Sequence, residues 1–186
     1  MYGFVALGWA GVVWLIPHFT GGSAAPSLAS PPLAYHAPVT EGSARRIVQG
    51  TPERIRVDRL GVDLPIYPGS YNAKTGEWTL SNSAAYFATI TDAPNDFKGS
   101  TFIYGHNRRS VFGPLAQIQA GDTVQLRTSN GHGFTYTYAR DARINPDMTS
   151  ILYEHPDTPQ LVLMTCEGVM SATRRVMYFT LTGVDG

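Results

Sequence analysis

The stretch that decides the fold is "DTVQLRTSNGHGFTYTYA", residues 122–139. Apolar and polar residues alternate in both halves, with Val124 and Leu126 in the first half and Phe134 and Tyr136 in the second. A tight two-residue hairpin turn requires positive φ at both of its central positions, and Asn and Gly adopt positive φ more readily than other residues. The central Asn-Gly pair therefore favours such a turn. The stretch therefore predicts two antiparallel strands that each bury one face.

Similar patterns lie on both sides of this hairpin. Further strands are predicted at residues 54–59, 62–69, 100–105, 160–166 and 174–183. The run at 160–166 is apolar without alternation, as expected of a strand buried on both faces. Pro65 suggests an edge or a bulge, and residues 110–118 predict one short helical piece. About seven or eight short strands with few helices indicate a closed or sandwich-like β domain.

Composition limits the classes of function. The chain has 186 residues, of which 43% are hydrophobic, so one domain with a proper core and some additional segments is expected. Fourteen basic residues balance fourteen acidic ones, which gives no support to nucleic-acid binding. The single cysteine excludes an internal disulfide.

The N-terminal part differs from the rest in composition. Residues 2–17 carry no charge and would form roughly 24 Å of helix, somewhat short of a ~30 Å hydrocarbon core. We favour a membrane anchor at residues 1–20, with a secretory signal or a buried helix as alternatives. Residues 21–50 are rich in Gly, Ala, Ser and Pro and predict a flexible linker. Residues 51–186 are then predicted to form the folded domain. An anchor, a linker and a domain in this order are typical of an enzyme held at a membrane surface or of a displayed binding module.

Four residues at predicted strand ends could carry chemistry: His106, Cys166, Arg174 and Arg175. A thiol acts as a nucleophile when a nearby imidazole or cation favours the thiolate. Arginine is a permanent cation that can stabilise an oxyanion, and histidine can protonate a departing amine. Each residue alone is commonly structural, but their joint order behind an anchor and a linker indicates acyl transfer.

Three segments resemble the sortase family. "LVLMTC" at 161–166 resembles its Leu-x-Thr-Cys signature, and "YGHNRRSVFGPLAQIQAGDTV" at 104–124 resembles its histidine segment. "PERIRVDRLGVDLPIYPG" at 52–69 is similar to its opening strands. The resemblance covers about Thr51 to Gly183. It implies a mainly β protein with an eight-stranded β-barrel, one or two short helices and a preceding N-terminal hydrophobic helix.

The resemblance also implies an activity, that of a membrane-anchored cysteine transpeptidase outside the cytoplasm. Cys166 would attack an LPxTG-like sorting signal of a surface protein, and an amine of a cell-wall precursor or a pilin lysine would resolve the thioester. His106 would be the acid and base, and Thr165 would lie beside the site and help to hold the substrate. The resemblance implies no cofactor, and the carboxylates Glu77, Asp92 and Asp96 are too scattered in sequence to suggest a metal site.

The family arginine precedes a hydrophobic strand, and the chain offers two candidates for it. Neighbours in a strand point to opposite faces, so only one can serve. Arg175 shares its face with Met177 and Phe179, and we favour it, with Arg174 as second choice. Two alternatives to a sortase remain: a catalytically inactive, membrane-displayed β-barrel binding module, and an L,D-transpeptidase-like cell-wall enzyme.

Overall fold

The computed structural model describes residues 45–186. The predicted anchor at 1–20 and most of the predicted linker at 21–50 lie outside the described residues. The strands in the described part are β1 Pro52–Val57, β2 Val62–Gly69, β3 Tyr71–Asn72, β4 Glu77–Trp78, β5 Ala85–Ala88, β6 Ser100–Gly105, β7 Thr123–Thr128, β8 Gly133–Ile144, β9 Gln160–Glu167 and β10 Thr173–Asp185. Short 3₁₀ turns are formed by Asp58–Leu60, Gly113–Gln117, Ser150–Tyr153 and Val169–Ser171. Between residues 45 and 186, no helix has the length and apolar character needed to cross a bilayer.

Eight of these strands close into a barrel in the order β1-β2-β5-β6-β9-β10-β8-β7. This confirms the mainly β, eight-stranded architecture with short helical segments. The predicted hairpin is formed by β7 and β8, whose register runs from Thr123↔Thr137 to Arg127↔Gly133. The remaining two strands, β3 and β4, form a separate hairpin.

Pro65 lies inside β2, at the point where the strand changes partner. Residues 62–65 of β2 pair with β1, whereas parallel pairing with β5 begins at Ile66 and ends at Gly69. Proline has no N–H to donate to a ladder. The proline therefore occupies a place where the strand has a paired neighbour on one side only.

The hydrophobic core is divided by the barrel wall into two clusters. On β9, Leu161 and Leu163 belong to the cluster that also contains Met177 and Phe179 of β10. Val162 and Met164 belong to the second cluster, formed on the opposite face of these strands by Phe102, Tyr104, Ile151, Leu152, Val176 and Tyr178, among others. Both faces of β9 are thus buried, which explains its continuous apolar sequence. Each large side chain buried in this way stabilises the fold by about 1.5–3 kcal/mol.

Candidate active site

The candidate site is built at the ends of two adjacent parallel strands. In the β6–β9 pairing, Gly105 is opposite Thr165, at the last position of the register. His106 directly follows Gly105, and Cys166 directly follows Thr165. Since paired strands lie about 4.8 Å apart, the pairing brings His106 and Cys166 to the same level of the barrel although sixty positions separate them in the sequence.

Gly105 allows the chain after β6 to fold back against the barrel. A Cβ atom at this position would lie 2.9 Å from Val111 Cγ1 and 3.2 Å from Phe112 Cδ2, which is too close for ordinary packing. The carbonyl of His106 accepts hydrogen bonds from the backbone N–H groups of Arg108 at 2.9 Å and Phe112 at 3.0 Å. Val111 and Phe112 are themselves buried, so the backbone of His106 is fixed from the core side.

The environment of His106 favours its neutral form. Burial is the larger cause that lowers the pKa of His106, and the positive charge of Arg108 lowers it further. Both effects act against the charged imidazolium. A neutral imidazole beside a thiol can accept its proton and return it to a departing amine.

Thr165 connects the two strands directly beneath these residues. It is buried, and its hydroxyl donates a hydrogen bond of 2.9 Å to the carbonyl of Gly105. This bond fixes β9 against β6 at the level of the candidate pair. Thr165 also lines the cleft described next. A contact between Thr165 and the substrate remains a prediction.

Cys166 is a free, half-buried thiol that borders an open cleft of about 350 Å³. The cleft is lined by Gly76, Glu77, Trp78, Leu80, Tyr104, Gly105, Met164, Thr165, Cys166 and Arg174. One wall is the second strand of the β3–β4 hairpin and the chain after it, and the other is the ends of β6, β9 and β10. The Trp78 ring packs edge-on against Tyr104, with 4.4 Å between ring centroids. This gives the cleft an aromatic side.

Arg174 is the arginine beside Cys166. The two residues are directly opposite each other in the β9–β10 register, and both line the cleft. The Nη1 atom of Arg174 donates to the carbonyls of Ser171 at 2.9 Å and Thr173 at 3.3 Å. Among residues 45–186, no carboxylate forms an ion pair with it. Its positive charge is therefore available to a substrate oxygen.

Arg175 is engaged elsewhere. It is opposite Thr165 in the register, and its side chain is only 13% exposed. Its Nε donates to Asp141 Oδ2 at 2.7 Å, and its Nη1 donates to the carbonyls of Leu115 at 3.2 Å and Ala116 at 3.1 Å. These bonds connect β10 to β8 and to the 3₁₀ turn whose Leu115 is buried in the core.

The arrangement favours Arg174, the second choice from sequence, over Arg175. Strand alternation does separate the two side chains, as expected. However, Arg175 shares its face of β10 with Met177 and Phe179, which lie in the barrel interior. Cys166 lies two residues after Met164 and therefore shares its face of β9, which is the face away from the interior. The catalytic assignment of either arginine stays a prediction.

The loop between Cys166 and Arg174 is short and strained. Met170 and Ser171 have φ of 52° and 61°, and a non-glycine residue in this region costs of order 1–3 kcal/mol. Within residues 45–186, no other non-glycine residue has positive φ. Val169 and Met170 are 86% and 97% exposed, so this loop presents apolar side chains to solvent next to the cleft.

The sequence interpretation missed the β3–β4 hairpin, which supplies Glu77 and Trp78. A signal was present in "NAKTG", residues 72–76, because Asn and Gly between aromatic residues are typical of a turn. The Asn72 side chain accepts from the Lys74 N–H at 3.0 Å, and Gly76 adopts a φ of 72°. The flanking strands are only two residues each, too short for an alternation pattern.

The scattered acidic residues form separate contacts. Asp92 Oδ2 lies 3.0 Å from His155 Nδ1, and Asp96 pairs with Arg45 at 2.8 Å. Groups of three or more potential metal ligands are absent from residues 45–186.

A family comparison agrees with the fold and with this geometry. The model of the Sortase domain matches residues 55–181, which is more than half of the chain. The chain therefore belongs to the sortase family, whose members are cysteine transpeptidases. A comparison with curated proteins gave no match.

Solved sortase structures share the fold at low sequence identity. Sortase A of Listeria monocytogenes is 18% identical, with a TM-score of 0.59 over 73% of this chain and 90% of that chain. A pilus-related sortase C of Group B Streptococcus is 21% identical, with a TM-score of 0.60 over 73% of this chain and 69% of that one. Sortase C of Clostridium perfringens is 16% identical, with a TM-score of 0.58 over 73% and 72% of the two chains. At these identities the likeness concerns the fold.

Proposed function

We propose that this protein is an active sortase, which cleaves an LPxTG-like sorting signal and transfers the acyl part to an amine. The observation that carries the proposal is the grouping of Cys166, Arg174 and His106 at the ends of three consecutive barrel strands. Membership of the sortase family supports the same chemistry. We place the enzyme at the cell membrane with its domain outside, as predicted from the N-terminal sequence.

The first half-reaction forms a thioester. The Cys166 thiolate attacks the carbonyl carbon of the peptide bond that follows Thr in the signal, and negative charge develops on the carbonyl oxygen. Arg174 donates to that oxygen, because its guanidinium lines the same cleft and has five N–H donors. His106 protonates the departing amine as the C–N bond breaks, and the acyl group stays on sulfur.

The second half-reaction returns the enzyme to its starting state. An acceptor amine attacks the thioester carbonyl, and His106 takes the proton that the amine loses. The C–S bond breaks, Cys166 leaves as a thiolate, and a new amide bond is formed. Acceptors are amines of a cell-wall precursor or lysines of a pilin; the similarity to a pilus-related sortase C supports testing both.

A peptide screen read by mass spectrometry tests the proposal. Purified protein is incubated with LPxTG-like peptides, with and without added amines. We expect an acyl adduct on Cys166 without amine and an amide product with it, and neither should form with Cys166→Ala. If no peptide acylates Cys166 and a thiol reagent fails to label the native protein, the domain is a displayed binding module and the proposal is overturned.

A further inference from the structure

Cys166, His106 and Arg174 do not explain how the acceptor amine would be bound. A lysine-like amine has a pKa of about 10.4, so it reaches the enzyme as an ammonium ion. Cys166 and His106 carry no negative charge once the thioester has formed, and Arg174 is a cation. An ammonium ion would therefore meet an electrostatically unfavourable site unless a negative group lies in the cleft.

Glu77 is the negative group in this position. It lines the cleft together with Cys166 and Arg174, and none of the other lining residues is acidic. It belongs to the hairpin wall of the cleft, whereas Cys166 and Arg174 belong to the barrel wall. Within the part of the chain that the structure describes, Glu77 forms no ion pair. Its carboxylate is therefore available to a ligand.

The hairpin holds the backbone of Glu77 in place. The Trp78 ring packs at a tilt against Tyr71 of the partner strand, with 4.9 Å between ring centroids, and edge-on against Tyr104 of the barrel at 4.4 Å. The Tyr104 hydroxyl donates to the Ser70 carbonyl at 3.2 Å, and the Gly76 N–H donates to the Asn72 carbonyl at 2.8 Å. These contacts fasten both strands of the hairpin to the barrel beside the thiol.

We propose that Glu77 recognises the ammonium group of the acceptor and thereby selects cationic amines as the second substrate. This inference rests on the proposed function. The ammonium ion binds at the hairpin side of the cleft, while the acyl oxygen binds at the Arg174 side. The bound ammonium releases one proton to solvent, and the free amine attacks the thioester carbonyl. His106 takes the second proton as the C–S bond breaks and Cys166 leaves as a thiolate.

Steady-state kinetics with two nucleophiles test the proposal. The full-length protein and Glu77→Gln are compared with a saturating LPxTG-like peptide and either a lysine-like amine or hydroxylamine, which is uncharged at neutral pH. We expect the KM for the cationic amine to rise about 2- to 5-fold, the value of an exposed ion pair, with kcat unchanged. The difference should shrink at high salt, and the KM for hydroxylamine should not change.

Two further variants control the interpretation. Glu53→Gln removes an exposed carboxylate of β1 that is not part of the cleft lining, and its kinetics should equal those of the parent. Glu77→Lys reverses the charge and should raise the KM for the amine more than Glu77→Gln does, again without an effect on hydroxylamine.

Three outcomes would overturn the inference. If Glu77→Gln leaves the KM for the cationic amine unchanged, Glu77 does not recognise the acceptor. If both nucleophiles are affected equally, the residue shapes the cleft and does not select charge. If the intact-protein mass shows no thioester on Cys166 with any peptide, both the proposed function and the inference fail. If a thioester forms but the KM for the cationic amine is unchanged in Glu77→Gln, only the inference fails.

Discussion

Arg174 and Arg175 are neighbours in the sequence but belong to two different regions of the molecule. The Arg175 side chain is largely buried and binds Asp141 and two carbonyls of a 3₁₀ turn. Arg174 lies on the open cleft opposite Cys166, where its partners are two backbone carbonyls. Strand β10 thus presents Arg175 to the barrel interior and Arg174 to the cleft. The comparison predicts that activity and stability can be changed separately at adjacent positions.

Among the residues that assist Cys166, we expect the largest effect from His106→Ala. Loss of an acid–base group should reduce kcat by about 10² to 10⁴ without a change in melting temperature, because the side chain makes no hydrogen bond in residues 45–186. Peptide cleavage and thermal unfolding measure the two effects. His155→Ala is the control, since His155 contacts Asp92 away from the cleft. Equal losses of activity in both variants would contradict the assignment.

Arg174→Ala tests the cleft side of the comparison directly. Removing the donor to the oxyanion should reduce kcat by about 10² to 10³, while the free energy of unfolding stays close to that of the parent. Lysine at this position should restore activity only in part, because an ammonium keeps the charge but loses the planar fork. An Arg174→Ala variant with full activity would show that backbone N–H groups stabilise the oxyanion instead.

Arg175→Ala tests the interior side. It leaves the half-buried Asp141 carboxylate without its arginine and two carbonyls without a donor. We expect the free energy of unfolding to fall by about 1.5–3 kcal/mol, the value of hydrogen bonds to a charged group. Urea unfolding measures this loss, and turnover per folded molecule should stay within a few-fold of the parent. If Arg175→Ala unfolds like the parent but is inactive, the two arginines have exchanged roles.

The smallest expected effect is a pH dependence of stability that comes from Asp141. The Tyr138 hydroxyl, at 2.8 Å, and then Arg175 lower the pKa of Asp141. A carboxyl group with a lowered pKa stabilises the folded state fully above its unfolded pKa of about 3.9. That contribution is lost as the pH falls through the folded pKa. Urea unfolding of the parent and of Asp141→Asn should therefore differ most above pH 5 and converge in acid; a constant difference would contradict the proposed network.

Much of this fold could be predicted from local patterns, and the exceptions have physical causes. The β7–β8 hairpin was predictable because an Asn-Gly turn joins two strands that each bury one face. Strand β5, "AYFA" at 85–88, was not predicted because its four residues show no alternation and most are buried. The two-residue strands β3 and β4 depend on aromatic packing with the barrel, which a local pattern does not contain.

The side on which each arginine lies was the least predictable feature of the site. Alternation indicates that Arg174 and Arg175 face opposite ways, but it does not indicate which way Cys166 faces. In most strands a polar face marks the outside, yet β9 is buried on both faces and has no such mark. The answer depends on barrel closure, which places Leu163 inside and Met164 outside.

The parallel β6–β9 pairing also determines when the site can be assembled during synthesis. β9 and β10 leave the ribosome after the other six strands of the barrel, yet they occupy the middle of the barrel order, between β6 and β8. A growing chain already contains His106 and the whole β7–β8 hairpin, but it cannot close the barrel until its C-terminal strands are free. His106 and Cys166 can therefore come together only after β9 has been synthesised. Because a long segment of chain joins them and contacts between distant residues form slowly, we expect the pair to assemble late in folding.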